Sequence, residues 1–198
     1  MTVATRLKQV SRAFAEAKVG YEVESVLGQG NMGLVFKGKG VLGRPVAIKE
    51  VKFGRIPPKQ RPEAIKRFLR EARTTAKVQD HNIVTVYSMF ELDGVPFLVL
   101  EYIDGKDLEE IVEEHEAVGK RIDLAQCLDM LSQSCKGLLA IGEKNISHRD
   151  IKPANIMLDK HGQIKITDLG IAKDYEDINQ ALTKTGLVVG TPYFMSPE

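Results

Sequence analysis

Val3, Leu7, Val10 and Phe14 recur at spacings of four, three and four, which predicts an apolar stripe on a helix over residues 3–17. Arg6, Lys8, Arg12 and Lys18 lie off that stripe. Such a basic amphipathic helix lies on an anionic membrane surface or, more often, docks on its own domain. From Tyr21 to Glu101 the pattern becomes strand-like. Residues 21–27 alternate in part, and 33–38 and 45–51 are short apolar runs bounded by Gly or Pro. Runs at 83–91 and 95–101 flank Asp93-Gly94, a hairpin signal. One helix interrupts this region, with Pro62 near its start and Ile65, Phe68, Leu69, Ala72 and Ala76 on its apolar face.

After Glu101 the periodicity turns helical. Residues 107–118 read as an acidic helix. Leu124, Leu128, Leu131, Cys135, Leu138 and Leu139 form a longer helical stripe. Short strands are predicted at 156–158 and 163–167, and residues 168–198 read as loop. No internal repeat or low-complexity linker is visible. The expected organisation is a helix over 1–20, a β-rich lobe over 21–100 and a helical lobe over 101–198.

Composition changes little in this picture. With 43% hydrophobic and 28% charged residues, a disordered or collagen-like chain is excluded. No apolar run approaches the roughly 20 residues of a membrane-spanning helix, and the first 20 residues have no secretory apolar core. Cys127 and Cys135 form neither a disulfide framework nor a metal quartet. Buried free thiols and a cytoplasmic location are the expectation. The net charge of +1 hides a polarity, since residues 1–100 hold 17 basic against 9 acidic side chains. That polarity marks either a nucleic-acid face or two lobes of opposite sign. The second is the expectation, so no nucleic-acid partner is predicted.

The chemistry sits in short motifs. Gly28, Gly30 and Gly33, followed by Val35, match G-x-G-x-x-G-x-V. A strand, not a helix, follows, which predicts a flap between two strands rather than a dinucleotide site. Lys49 ends the apolar run Val46-Ala47-Ile48, where an unpaired ammonium is costly. Glu71, at the edge of the apolar helix face, is its expected ion-pair partner. His148-Arg149-Asp150-Ile151-Lys152-Pro153-Ala154-Asn155 concentrates too much polarity for core packing. Asp168, before Leu169-Gly170 at a strand end, is placed to hold Mg²⁺ through oxygen.

Together with Ser196-Pro197-Glu198, these motifs occur in the order of the protein kinase family, which the chain resembles from about Tyr21 to Glu198. The resemblance implies an α+β bilobal fold: a β-rich N-lobe with one regulatory helix and an incomplete helical C-lobe. It implies ATP and Mg²⁺ as cofactors, with Asp150 taking or orienting the substrate hydroxyl proton. Lys152 would steady the γ-phosphoryl, and Asn155 and Asp168 would hold Mg²⁺. Lys49, paired with Glu71, would hold the α- and β-phosphates. Leu100 would be the gatekeeper, and the backbones of Glu101 and Ile103 would bind adenine between Val35, Ala47 and Met157. Asp107 fits a ribose-binding carboxylate and equally a helix N-terminal charge.

Lys152, with Gly190-Thr191 before the Pro-Glu pair, resembles serine/threonine kinases acting on protein substrates, and Thr191 would bridge Asp150 and Lys152. The segment around Thr183 and Thr185 resembles bacterial members. Autophosphorylation there is expected, with Arg149, Lys173 and Arg67 pairing the phosphate. Leu169 replaces the usual Phe, and Thr75 stands where the family stacks an apolar residue. The family continues beyond the Pro-Glu segment, so exposed apolar surface is expected over residues 124–141. The alternative is a non-catalytic ATP-binding or regulatory fragment. Homodimerisation through the N-lobe and tethering to a membrane in a longer parent are left open.

Overall fold

The computed structural model describes residues 2–30, 33–53, 56–168 and Phe194. The chain divides into two units, Met1–Ala76 with Thr85–Tyr102, and Lys77–Val84 with Ile103–Glu198.

Five antiparallel strands form the first unit: β1 (Glu22–Gly30), β2 (Gly33–Lys39), β3 (Pro45–Glu50), β4 (Val86–Leu92) and β5 (Val95–Glu101). Their order is β1-β2-β3-β5-β4. Asp93 and Gly94 close the β4–β5 hairpin with φ of 51° and 73°, as the dipeptide predicts. Because side chains alternate, register assigns the faces. Phe36 pairs with Ile48 and Ile48 with Val99, so these share one face. Val35 pairs with Lys49, and Ala47 with Leu100, on the other.

Helix α1 (Val3–Ala17) docks on the Phe36–Ile48–Val99 face and belongs to the first unit, not to a separate segment. The Thr2 hydroxyl caps it by accepting from the Thr5 N–H at 3.2 Å, and Lys18 ends it in the left-handed conformation. Val10 and Phe14 are buried among Leu34, Phe36, Val46, Ile48, Phe97 and Val99. The Phe14 ring meets Phe97 and Phe90 edge-on, at centroid distances of 5.1 and 5.2 Å. Helix α2 (Arg61–Thr75) has Pro62 in its first turn, where a missing N–H costs nothing. It buries Ile65, Phe68, Ala72 and Thr75.

The second unit contains β6 (Gly105–Asp107), α3 (Leu108–Ala117), α4 (Leu124–Gly142), β7 (Ile156–Asp159) and β8 (Ile164–Ile166). β6-β7-β8 is an antiparallel sheet. β6 was not predicted, being too short to show alternation. Gly105 permits it, since a Cβ there would collide with the Leu158 carbonyl oxygen. The Lys77–Val84 segment also joins this unit. The Ile166 N–H donates to the Asn82 carbonyl at 2.8 Å and the Val84 N–H to the Ile166 carbonyl at 2.9 Å. A lobe boundary placed at residue 100 therefore misses an eight-residue excursion.

Helix α4 differs most from expectation. Asp123 caps it, accepting from the Ala125 N–H at 2.9 Å. Its buried side is Met130, Ser134, Gly137 and Ile141, with Gly137 against Asn82 and Ile166. Leu124, Leu128, Leu131 and Leu139 of the predicted stripe are exposed, while Leu138 packs on the core. The expected exposed apolar surface is present at those four leucines, whereas Ile141 is buried. The cysteines also depart from expectation: Cys135 is exposed on that outer stripe and Cys127 is half-buried.

Candidate active site

The first unit carries one part of the inventory. β1 and β2 converge at Gly30 and Gly33, which are register partners, so the glycine motif is the tip of a hairpin. Gly33 sits at φ of 143°, and a Cβ there would strike the Glu50 carbonyl oxygen, so only glycine fits. A Cβ at Gly28 or Gly30 would meet nothing within 4 Å. Among the described residues, packing therefore does not explain those two glycines. Val35, Ala47 and Lys49 lie together on the sheet face opposite α1. The Glu101 carboxylate accepts from the Thr85 N–H at 3.2 Å, and its own N–H donates to the Thr85 carbonyl at 2.8 Å.

Glu71 has a partner on its own helix. Its Oε1 accepts from Arg67 Nε at 3.0 Å, one turn earlier on α2. The ion pair expected between Glu71 and Lys49 remains a proposal beside it. With Arg67 43% exposed, the intrahelical pair contributes about 0.3–0.5 kcal/mol and exchanges easily. The spacing of Arg67 and Glu71 was legible in the sequence, where only the pairing across to β3 was considered.

The second unit carries the other part, in a closely bonded cluster. Pro153–Asn155 forms a short 3₁₀ turn that ends the His148–Asn155 motif. The buried Asn155 donates from Nδ2 to the Asp150 carbonyl at 2.7 Å and to Asp150 Oδ2 at 3.1 Å. Lys152 Nζ stands 3.9 Å from the same Oδ2. The Thr167 N–H, one residue before Asp168, donates to the Asn155 carbonyl at 2.9 Å.

His148 completes the cluster as a strut. Its Nε2–H donates to the Thr167 carbonyl at 2.8 Å, and its Nδ1 accepts the Asp150 N–H at 3.3 Å. This requires the neutral ring. Burial holds the imidazole below its ordinary value of 6.5, against the opposing pull of the Thr167 hydrogen bond and the Asp168 and Asp150 charges. The motif containing His148 was recognised in the sequence, but no role had been given to this residue.

Arg149 and Asp168 hold φ of 61° and 55°. Left-handed backbone at such residues costs about 1–2 kcal/mol, and this kind of strain gathers at functional sites. In the second sheet Asp107 is the register partner of Met157. Asp107 also caps α3 in a capping box, accepting from the Glu110 N–H at 2.9 Å while Glu110 accepts from its N–H at 3.2 Å. The helix-terminal role is thus realised, and a ribose role remains a proposal.

The donor set fits Mg²⁺. No group of three or more His, Cys, Asp or Glu able to hold a metal exists among the described residues. Mg²⁺ characteristically takes one or two carboxylates and completes its shell with ligand phosphates and water. Asn155 commits its amide N–H groups to Asp150, leaving its carbonyl oxygen as the atom to offer a cation.

The protein kinase domain family matches residues 21–198. The chain belongs to the protein kinase family. Among its relatives is the probable serine/threonine-protein kinase PknB of Corynebacterium glutamicum, 37% identical over 183 residues, 90% of this chain and 27% of that protein. Serine/threonine-protein kinase PrkC of Bacillus subtilis is 33% identical, over 90% of this chain and 26% of its own length. The chain thus spans about a quarter of the length of these kinases. The crystal structure of the Mycobacterium tuberculosis PknI kinase domain, in a point-mutant form, matches with a TM-score of 0.65 and 25% identity, over 78% of this chain and 60% of that one. The kinase fold expected from the motifs is therefore correct. Helix α1 precedes the residues that match the kinase family. Thr183, Thr185, Thr191, Leu169, Lys173 and the Pro197-Glu198 pair lie outside the described residues. Among the described residues, no helix is long and apolar enough to cross a membrane.

Proposed function

We propose that this kinase-family chain transfers the γ-phosphoryl of Mg-ATP to serine or threonine hydroxyls of proteins. The observation that carries the reading is the Asp150 carboxylate, held by Asn155 at 3.1 Å with Lys152 at 3.9 Å from the same oxygen. Asp150 is the proton acceptor or orienter for the incoming hydroxyl, and Asn155 fixes the carboxylate in one orientation. Lys152 offers positive charge where the transferred group passes. Asn155 and Asp168 are the residues that would hold Mg²⁺, which when bound neutralises charge on the phosphate oxygens. Lys49 supplies the phosphate contact from β3, with Gly28 and Gly30 leaving backbone open to phosphate. Val35, Ala47, Met157 and the backbones of Glu101 and Ile103 would bind the adenine, and Asp107 the ribose. Thr191 would bridge Asp150 and Lys152. Catalysis of this type is mostly positioning and electrostatics, which suits a cluster of charged and amide groups with no nucleophilic Ser or Cys.

Autophosphorylation at Thr183 or Thr185 accompanies this activity, and the site of action is the cytoplasm. Phosphopeptide mapping of active protein that finds neither threonine modified would remove the first of these claims. Radiolabel transfer from Mg-ATP tests the main reading. Asp150→Asn should lower transfer about 10²–10⁴-fold while nucleotide binding persists. Transfer that survives this substitution refutes the assignment. The second reading is a non-catalytic nucleotide-binding or regulatory fragment, favoured by the Arg67–Glu71 pair and the exposed leucines of α4. Binding of Mg-ATP without any Asp150-dependent transfer would establish it.

A further inference from the structure

Helix α1 is more than a cover for an apolar sheet face. Val10 and Phe14 bury against β2, β3 and β5, and the Ser11 hydroxyl donates to the Val23 carbonyl at 3.2 Å. One polar contact stands out. Arg6 reaches Glu50 with Nε at 3.1 Å and Nη2 at 2.7 Å, both to Oε1. The Glu50 side chain is only 3% exposed, and its Oε2 is buried with no hydrogen-bond partner among the described residues. A buried carboxylate with one oxygen unpartnered among the described residues is costly to keep, so its pairing with Arg6 matters greatly.

Glu50 lies between two parts of the proposed nucleotide site. It directly follows Lys49 on β3, where Lys49 points to the opposite face. Its carbonyl oxygen is the atom against which Gly33 closes, and only the glycine permits that approach. A shift of Glu50 would therefore move the Lys49 backbone and the Gly33 end of the hairpin together.

We propose that Arg6 is a positioning residue: by clamping buried Glu50 from α1, it holds Lys49 and Gly33 in the geometry that binds the phosphates of ATP. This function belongs to a helix outside the residues that match the kinase family. It rests on the phosphoryl-transfer reading above.

The test is steady-state kinetics of Arg6→Met in the full chain, with Mg-ATP and a serine/threonine acceptor peptide varied separately. The expected result is a KM for Mg-ATP raised on the order of tenfold, with the KM for the peptide unchanged, since a small misplacement far from the chemistry acts through the group it displaces. Arg6→Lys, which keeps the charge but loses the planar grip, should restore only part of the affinity. A role in stability alone predicts a lower melting temperature and a smaller active fraction with the KM for Mg-ATP unchanged, and that result overturns the proposal. If Arg6→Met does not fold, Arg6→Met combined with Glu50→Gln removes the buried charge along with its partner and carries the same comparison.

Wild-type protein that neither binds Mg-ATP nor transfers phosphate refutes the phosphoryl-transfer reading instead. Amide exchange at Lys49–Val51 then decides the positioning role. Faster exchange in Arg6→Met than in wild type supports the clamp, and equal exchange overturns it.

Discussion

Helices α1 and α4 both carry large apolar residues at helical spacing, and they use them in opposite ways. α1 lays Val10 and Phe14 on a sheet whose facing residues are Phe36, Ile48, Phe97 and Val99. α4 turns Leu124, Leu128, Leu131 and Leu139 outward and packs Met130, Ser134, Gly137 and Ile141 inward. The contrast extends to the cores they join. The core beneath α1 is aliphatic and aromatic. The one beside α4 is threaded with polar side chains. Asn82 donates to Gln133 at 3.2 Å and to the Ile164 carbonyl at 3.0 Å, while Gln133 Oε1 also accepts from the Ile164 N–H at 2.9 Å. α1 is held by area and shape together with the Arg6–Glu50 ion pair at its edge, α4 by close approach and directed hydrogen bonds within its core.

The sharpest way to break this comparison is Phe14→Ala. Removing a fully buried ring that touches Phe90 and Phe97 should cost about 3–5 kcal/mol. Denaturant unfolding should show the midpoint falling with the slope unchanged. A loss under about 1 kcal/mol would mean that α1 does not dock in solution. The counterpart on α4 is Gly137→Val. A Cβ at 137 already meets Ile166 Cδ1 at 2.9 Å and the Asn82 carbonyl oxygen at 3.0 Å. Overpacking should cost about 1–3 kcal/mol despite the better helix propensity of valine. An unchanged midpoint would contradict the close approach that distinguishes α4.

These two helices also show what could be read from the chain. Periodicity locates an apolar side, and for α1 that side is the buried one. In α4 the buried side is built from Ser134 and Gly137, which carry almost no hydrophobic signal, so the eye follows the leucines. The short strand β6 escaped because three residues cannot display alternation. The grouping of Asp150, Lys152 and Asn155 was legible because they are close in sequence, and Asp168 follows a recognisable strand. Val35, Ala47 and Lys49 were legible because a strand fixes which residues share a face. The Arg67 contact of Glu71 went unread because a charge on a helix edge can turn to its own helix or to a strand, and Arg67 lies one turn away. Arg6 and Glu50 were invisible as a pair, since 44 residues separate them and each looks like an ordinary solvated charge.

The polar character of the second unit predicts a pH response. His148 is neutral and doubly hydrogen-bonded, and burial holds its folded-state affinity for a proton below that of the unfolded chain. The unfolded chain therefore binds more protons in the window below pH 6.5, and stability must fall as pH drops there. Above that window the contribution is fully present. Replacing His148 by Gln, which keeps a donor for the Thr167 carbonyl, should flatten this part of the acid limb in unfolding measured from about pH 7.5 to about pH 5. A limb of the same slope in the variant would show that other groups govern the acid response.

The smallest expected effect tests the outward face of α4. Leu128 and Leu131 are 57% and 60% exposed, so replacing each with Gln removes little buried surface. The change in stability should lie within about 0.5 kcal/mol per substitution, because glutamine and leucine have similar helix propensity. Solubility should rise, since an apolar stripe has been interrupted. If the double variant instead loses about 2 kcal/mol or more, those leucines are covered in solution. Concentration then identifies the cover. A wild-type midpoint that climbs with protein concentration, and a variant midpoint that does not, would mean a second copy sits on this face. The contrast between the two helices would then be one of partner rather than of packing, with α1 buried by its own chain and α4 by another.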